Sequence, residues 1–270
     1  MRKQLTKFSS NYHKFFEGIQ LSEEETNAWR NRVYQAYVRS GQSGANGETP
    51  LKLRSFPYQN QRIRPHLPKN RDARILDLGC GHGQLVYCLK NWGYCNVSGV
   101  DVSQEQVDLA HSQGVSEVCC GDIYDFLDQQ NTSADVIVLM DVIEHLTRAE
   151  LFRLLDAVRD RLSPGGLLMM HMPNAMGLFG MSIRYGDITH ELAFAPRGIQ
   201  QCLAVSGYTD ILIREDKPVI NGIKSLARFI AWEILTVPFR IIYAAECGIL
   251  PAALSQNMLV LARKRQGTAK

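Results

Sequence analysis

No Cys-x-x-Cys pair occurs in this sequence, and no closely paired cysteine and histidine ligands do. A structural zinc site therefore has nothing to stand on. The cysteines number seven, an odd count, and several fall inside apolar runs. They read as free, mostly buried thiols in a reducing cytosol. Net charge is also scarce: 30 basic against 27 acidic residues leave +3. No basic stripe with interleaved aromatics appears, which argues against a nucleic-acid partner. The opening "MRKQLTKFSSNYHKFF" contains no acid and no apolar run long enough for a signal peptide. It reads as a surface segment packing its aromatics on the body, with a basic organelle leader as the alternative. The expected location is cytoplasmic.

What is present is ordinary globular material: 270 residues, 45% hydrophobic and 21% charged. Residues 22–40 have a helical pattern, opened by a capping box of Ser22 and Glu25. "GQSGANGETP" (41–50) reads as a flexible connection and "LPKNRD" (67–72) as a second turn. Residues 1–72 are thus expected to form an N-terminal helical segment, and 73–270 the catalytic domain.

From Ala73 onward, short apolar runs alternate with helical patterns. The strands are read at 73–79, 96–101, 115–122, 134–141, 166–172, 208–215 and 257–264. Helices are read at 83–93, from Ser103 to about Ser112 with Ser103 and Gln106 as caps, from a Thr147/Glu150 capping box to Leu162, and at 196–207. "SPGG" (163–166) reads as a turn. Such alternation predicts an α/β fold with a doubly wound, Rossmann-like parallel sheet. Ligands of such sheets sit beyond the C-terminal strand ends.

"ILDLGCGHGQ" (75–84) occupies such a position. Glycines there allow positive φ and let backbone lie against a ligand, although a tight turn alone would use them too. Asp101 ends the next strand, about 20 residues on, where an acid can accept both hydroxyls of a ribose. It could equally serve as a turn or capping acid. Position 84 is glutamine, so the loop is G-x-G-x-G and departs from the dinucleotide pattern G-x-G-x-x-G. This weighs against a nicotinamide-dependent dehydrogenase.

Together, "DLGCGHG", "GVDVS", "GD" (121–122), "DVIEH" (141–145) and "LSPGG" (162–166) resemble a class I S-adenosylmethionine-dependent methyltransferase, over roughly residues 73–215 plus the closing strand. The resemblance implies a mostly parallel seven-stranded sheet with its last strand antiparallel, and S-adenosyl-L-methionine as cofactor. By that resemblance Asp77 and the Gly79-Cys80-Gly81 and Gly83 backbone surround the methionine part. Asp101 binds the ribose, with Val102 beside the adenine. Asp122 accepts from the adenine amino group, with Ile123 against the ring. Asp141 faces cofactor and substrate. His82 is read as pointing to solvent.

Methyl transfer to a hydroxyl needs a positioned nucleophile and a base. His145 follows the fourth strand at the ligand edge, with a capping or packing histidine as its alternative reading. His190 lies in "RYGDITHELAF" (184–194), a lid-like segment that also holds Asp187. If that stretch is helical, Asp187 and His190 pair at i, i+3 and the acid raises the histidine's basicity; a solvated loop is the alternative. His171 reads as a strand residue facing a neighbour. Oxygen-rich groups here suit magnesium, but no spacing demands a metal, and none is assigned.

The insertion spans 218–255. Its core, "LARFIAWEILTVPFRIIYAAECGIL" (226–250), is apolar, yet it carries charges and is interrupted by Pro238. It is too broken to span a bilayer. It could lie on a membrane surface, cover a groove, form a dimer contact or pack on the sheet. "MPNA", the lid and the closing strand resemble methyltransferases of bacterial polysaccharide and glycan pathways. That implies a sugar hydroxyl as acceptor, on a glycan or lipid-linked saccharide. A small aromatic or quinone-type acceptor is the alternative, and a non-catalytic cofactor-binding module the reading from a different class.

Overall fold

The computed structural model describes residues 29–30, 32–34, 51–53 and 55–266. The expected Ser22/Glu25 cap and the 41–50 connection lie outside them, as do most of the helix read at 22–40 and all of the opening segment. Residues 29–30 and 32–34 are helical.

Seven strands form one sheet in the order β3-β2-β1-β4-β5-β7-β6. They are β1 (Ile75–Leu78), β2 (Val97–Asp101), β3 (Val118–Cys120), β4 (Ala134–Met140), β5 (Leu162–Pro173), β6 (Tyr208–Glu215) and β7 (Asn257–Lys264). β1 pairs in parallel with β2 and β4, and β4 with β5. β7 runs antiparallel between β5 and β6. The expected mostly parallel sheet with its last strand reversed is what the chain adopts.

Connecting helices are α1 (Gln84–Asn91), α2 (Gln104–Ser112), α3 (Ile123–Asp128), α4 (Arg148–Arg161), α5 (Gly180–Arg184), α6 (Pro196–Val205), α7 (Ile223–Leu235) and α8 (Val237–Cys247). Both sheet faces are covered, so the central strands are apolar on both sides. Ile137 and Leu139 of β4 face the core shared with Leu151, Leu155, Ile199 and Leu203. Val136 and Val138 face the core shared with Leu85, Leu89, Val107 and Ala110. Leu51 and Ile63 are buried in this second core too, so it reaches back before Ala73.

Several local expectations need correction. The Thr147/Glu150 capping box forms with both reciprocal bonds. Ser103, by contrast, occupies the N-cap position of α2 without a side-chain cap bond. Its backbone N–H donates instead to Asp101 Oδ1 at 2.9 Å. "SPGG" is a bulge inside β5: pairing jumps from Ala134–Leu162 to Val136–Leu167. The cysteines are all free, but Cys95, Cys119, Cys120 and Cys247 are exposed, and Cys88 alone is buried. Cys119 and Cys120 lie on the edge strand β3, where one flank has no strand beside it among the described residues.

Candidate active site

The loop after β1 is held from below by two backbone bonds, Gly79 N–H and Cys80 N–H to Val100 O at 2.8 and 3.0 Å. Gly79 has φ +72, and a Cβ there would meet Val142 Cγ2 at 2.5 Å. Only glycine fits such a place. Asp101 Oδ2 accepts from Gly81 N–H at 2.8 Å while its Oδ1 accepts from Ser103 N–H. The acid therefore fixes the loop to the end of β2. Burial raises its carboxyl despite these two bonds.

A cleft of about 810 Å³ opens along this edge. Of the residues expected to hold the donor, Asp77, Gly79, Cys80, Gly81, Asp101, Val102, Asp122, Ile123 and Asp141 line it. Gly83 does not. It has φ +73 at the N-cap of α1, and a Cβ there would meet Val115 and Val118 at 3.0 Å. Its glycine serves helix–strand packing rather than ligand approach. His82 was expected in solvent, but it is partly buried and lines the cleft. The loop turns it inward between two positive-φ glycines.

The fit of the cleft to the cationic, nucleoside-bearing donor rests on its acids. Asp77 is 1% exposed, and its Oδ1 has no hydrogen-bond partner among the described residues. Burial, and then the neighbouring Asp101, pushes its carboxyl up to about 7. A buried carboxylate in this state is suited to receive an ammonium group. Asp122 caps α3, its Oδ1 accepting from Tyr124 and Asp125 N–H. Oδ2 takes no part in that cap.

On the acceptor side, Asp141 follows β4 with φ +55, a left-handed conformation uncommon outside glycine. Its N–H donates to His171 O at 3.0 Å. His171 Nδ1 meets Asp141 Oδ1 at 2.7 Å and its Nε2 meets Asp216 Oδ2 at 3.2 Å. Burial opposes a charge on His171, but the two carboxylates prevail and carry it up to about 10. Burial likewise opposes ionisation of Asp141, and His171 prevails there, holding it below the usual carboxylate range. His171 thus stands in the site as a buried cation.

His145 also lines the cleft, at the end of the short 3₁₀ turn Ile143–His145. Thr189 donates its hydroxyl to Asp187 Oδ1 at 2.6 Å, and its Oγ1 lies 2.8 Å from His145 Nδ1. A carboxylate only accepts, so the threonine hydrogen is committed to it. His145 Nδ1 must then carry the proton, which leaves the Nε2 lone pair as the basic position. Burial, and then the nearby His190, lowers its pKa to about 4. It is neutral at physiological pH.

Asp187 and His190 do not pair as expected. The stretch after α5 is not helical; the His190 N–H donates to Asp187 O at 3.3 Å, and the His190 charge is one of the lesser influences that help lower the Asp187 carboxyl. His190 Nδ1 contacts Ile183 O, and its ring lies 4.7 Å from that of His145. Neither residue lines the cleft. They stand behind His145. Glu144 O accepts from Glu191 and Leu192 N–H at 2.7 and 2.9 Å, which fastens the segment down. Among the described residues, Glu144, His145 and His190 offer ligand atoms within 4.8 Å of one another, close enough for one metal ion. Burial, and then Asp141, raises the Glu144 carboxyl well above its usual range.

The remaining wall comes from residues that belong to no motif. Arg30, Tyr34, Tyr58, Gln59 and Ile63 from before β1 line the cleft, as do His171 and Asp216. Arg30 bonds Glu150 at 2.9 Å, tying the early helix to the cap of α4. Tyr58 meets the His171 ring edge-on at 5.7 Å.

Sheet order, glycine loop and acid set define a class I methyltransferase fold. The chain matches the methyltransferase-domain family over residues 53–212, and it belongs to that family. It is 28% identical to a ubiquinone biosynthesis O-methyltransferase of Chelativorans sp. over 63% of this chain and 62% of that protein. It therefore spans about three-fifths of that relative's length. A methyltransferase from Archaeoglobus fulgidus shares the fold with a TM-score of 0.59 and 21% identity, covering 79% of this chain and 96% of that one. So does phosphoethanolamine N-methyltransferase 2 of Haemonchus contortus, solved with S-adenosyl-L-methionine, with a TM-score of 0.51 and 18% identity over 76% of this chain and 51% of that one. The methyltransferase class read from the motifs is that of this family.

Proposed function

We propose that this protein is an S-adenosylmethionine-dependent O-methyltransferase acting on a hydroxyl of a small aromatic, quinone-type acceptor. The observation that carries the reaction type is His145, a neutral imidazole with its free lone pair on Nε2, in the same cleft as the donor acids. The acceptor class is supported by the relative named for ubiquinone biosynthesis and by Tyr34 and Tyr58 in the cleft wall. The glycan reading finds no support in the comparisons.

Bound in the cleft, the donor supplies an activated methyl group on a sulfonium. Asp77 would hold its ammonium, Asp101 the ribose hydroxyls and Asp122 the adenine amino group. His145 Nε2 would take the acceptor's hydroxyl proton as that oxygen bonds to the methyl carbon and the carbon–sulfur bond breaks, leaving a neutral thioether. Thr189 and Asp187 hold the imidazole in the required tautomer. His171 keeps Asp141 ionised, and that carboxylate holds charge beside the reacting centre.

Incubation of the full chain with methyl-labelled donor and a catechol-type acceptor should place label on a phenolic oxygen. Label on a sugar acceptor, with none on the catechol, would return the acceptor to the glycan class.

A further inference from the structure

The proposed reaction gives Glu144 no task. It is 1% exposed, and neither of its carboxylate oxygens has a hydrogen-bond partner among the described residues. A carboxylate buried without a partner is costly, and a cation beside it offsets that cost.

Two histidines stand next to it. The ligand atoms of Glu144, His145 and His190 lie within 4.8 Å of one another. Both rings keep their lone pair on the same nitrogen. His145 Nδ1 carries its proton toward Thr189 Oγ1, which is committed in turn to Asp187. His190 Nδ1 lies 3.1 Å from Ile183 O, and a carbonyl only accepts, so that nitrogen is protonated too. Nε2 is left basic in each ring. Metal-binding histidines are oriented in this way, with the second ring nitrogen donating to the protein. The frame is also braced. Glu144 and His145 belong to the 3₁₀ turn after β4, and Glu144 O accepts from Glu191 and Leu192 N–H, the two residues that follow His190.

We propose that Glu144, His145 and His190 form a binding site for a divalent transition-metal cation such as zinc, and that the bound ion switches methyl transfer off. Two imidazole nitrogens and a carboxylate suit zinc and its first-row neighbours, whereas magnesium and calcium favour oxygen alone. At bond lengths of about 2.0–2.2 Å, tetrahedral donors stand roughly 3.4 Å apart, so the side chains close by about an ångström on binding. His145 lines the cleft and gives the ion its way in. The inhibition rests on the reading of His145 as the base, because the ion takes the Nε2 lone pair that would receive the acceptor's proton. The site itself does not depend on that reading.

Cobalt(II) is the probe, since its visible absorption intensifies when it leaves octahedral water for a four-coordinate site. The full chain, stripped with chelator and dialysed, should bind one cobalt ion per chain with that signature. Zinc should displace it and millimolar magnesium should not. His190→Ala and Glu144→Gln should each weaken cobalt binding at least about tenfold. Unchanged donor affinity in equilibrium dialysis shows that each variant is folded. Zinc that loads about nine-tenths of the parent should lower its rate about tenfold, and should no more than about halve the rate of His190→Ala. The proposal is overturned if the parent shows no such absorption or if both variants bind cobalt like it. It is equally overturned if the zinc-loaded parent turns over as fast as the zinc-free protein or faster. The cobalt titration needs no acceptor, so failure of the site and failure of the methyl-transfer reading are told apart.

Discussion

His171 Nδ1 lies 2.7 Å from Asp141 Oδ1 and joins β5 to the residue that follows β4. The buried imidazolium holds two acids at once, because Asp216 lies on its other nitrogen. His171→Gln removes one of the two cations facing Asp216, 14% exposed, and leaves Arg62 at 3.6 Å. The expected loss of stability is about 1–2 kcal/mol near pH 6.5, because Arg62 still faces Asp216 and the Asp141 side chain is 55% exposed. The folded pKa of about 10 exceeds the unfolded 6.5. The contribution is therefore complete below pH 6.5 and fades as pH rises through about 10. Urea unfolding of both proteins across that window should show their difference shrinking toward alkaline pH.

His145 and His190 should separate on mutation. His145→Ala is expected to lower kcat about 10²–10⁴-fold with donor affinity unchanged. Thr189→Val should also lower kcat, since it removes the acceptor that keeps the proton on Nδ1. His190→Ala, outside the cleft, should cost less than about tenfold. Steady-state kinetics with calorimetric donor binding checks all three.

Asp77 should couple donor binding to pH. Its carboxyl sits at about 7 in the free protein, and pairing with an ammonium favours the ionised form. Donor binding should then release a proton at pH 5–6. Affinity should rise with pH up to about 7 and level off above it. Asp77→Asn should abolish the proton release, read by calorimetry in buffers of different ionisation enthalpy.

The glycines should divide by role. Gly79→Ala places a methyl 2.5 Å from Val142 Cγ2 at φ +72, inside the cleft, and should abolish donor binding. Gly83→Ala presses on Val115 and Val118 away from the cleft. It should cost at least about 1 kcal/mol of stability and affect donor affinity less. Chemical unfolding and donor titration on each variant decide this.

The donor half of the cleft was legible because it is local. Asp77, the glycines, Asp101 and Asp122 each sit at a strand end, and strand ends are marked by apolar runs breaking at polar residues. The acceptor half was not. His171, Asp216 and Tyr58 come together only because β7 inserts between β5 and β6 and because residues before β1 fold back over the edge. Nothing in the spacing of those residues carries that information. Gly83 looked like its neighbours, and only the packing of α2 and β3 beneath it shows the difference. Thr189 bridges Asp187 and His145 through a turn that the spacing of these residues does not announce.

Equilibrium dialysis of the full chain against labelled S-adenosylmethionine tests the central claim most directly. The account predicts saturable retention of one donor per chain, displaced by S-adenosylhomocysteine and lost in Gly79→Ala. No retention by the folded parent chain, even at millimolar donor, would contradict it.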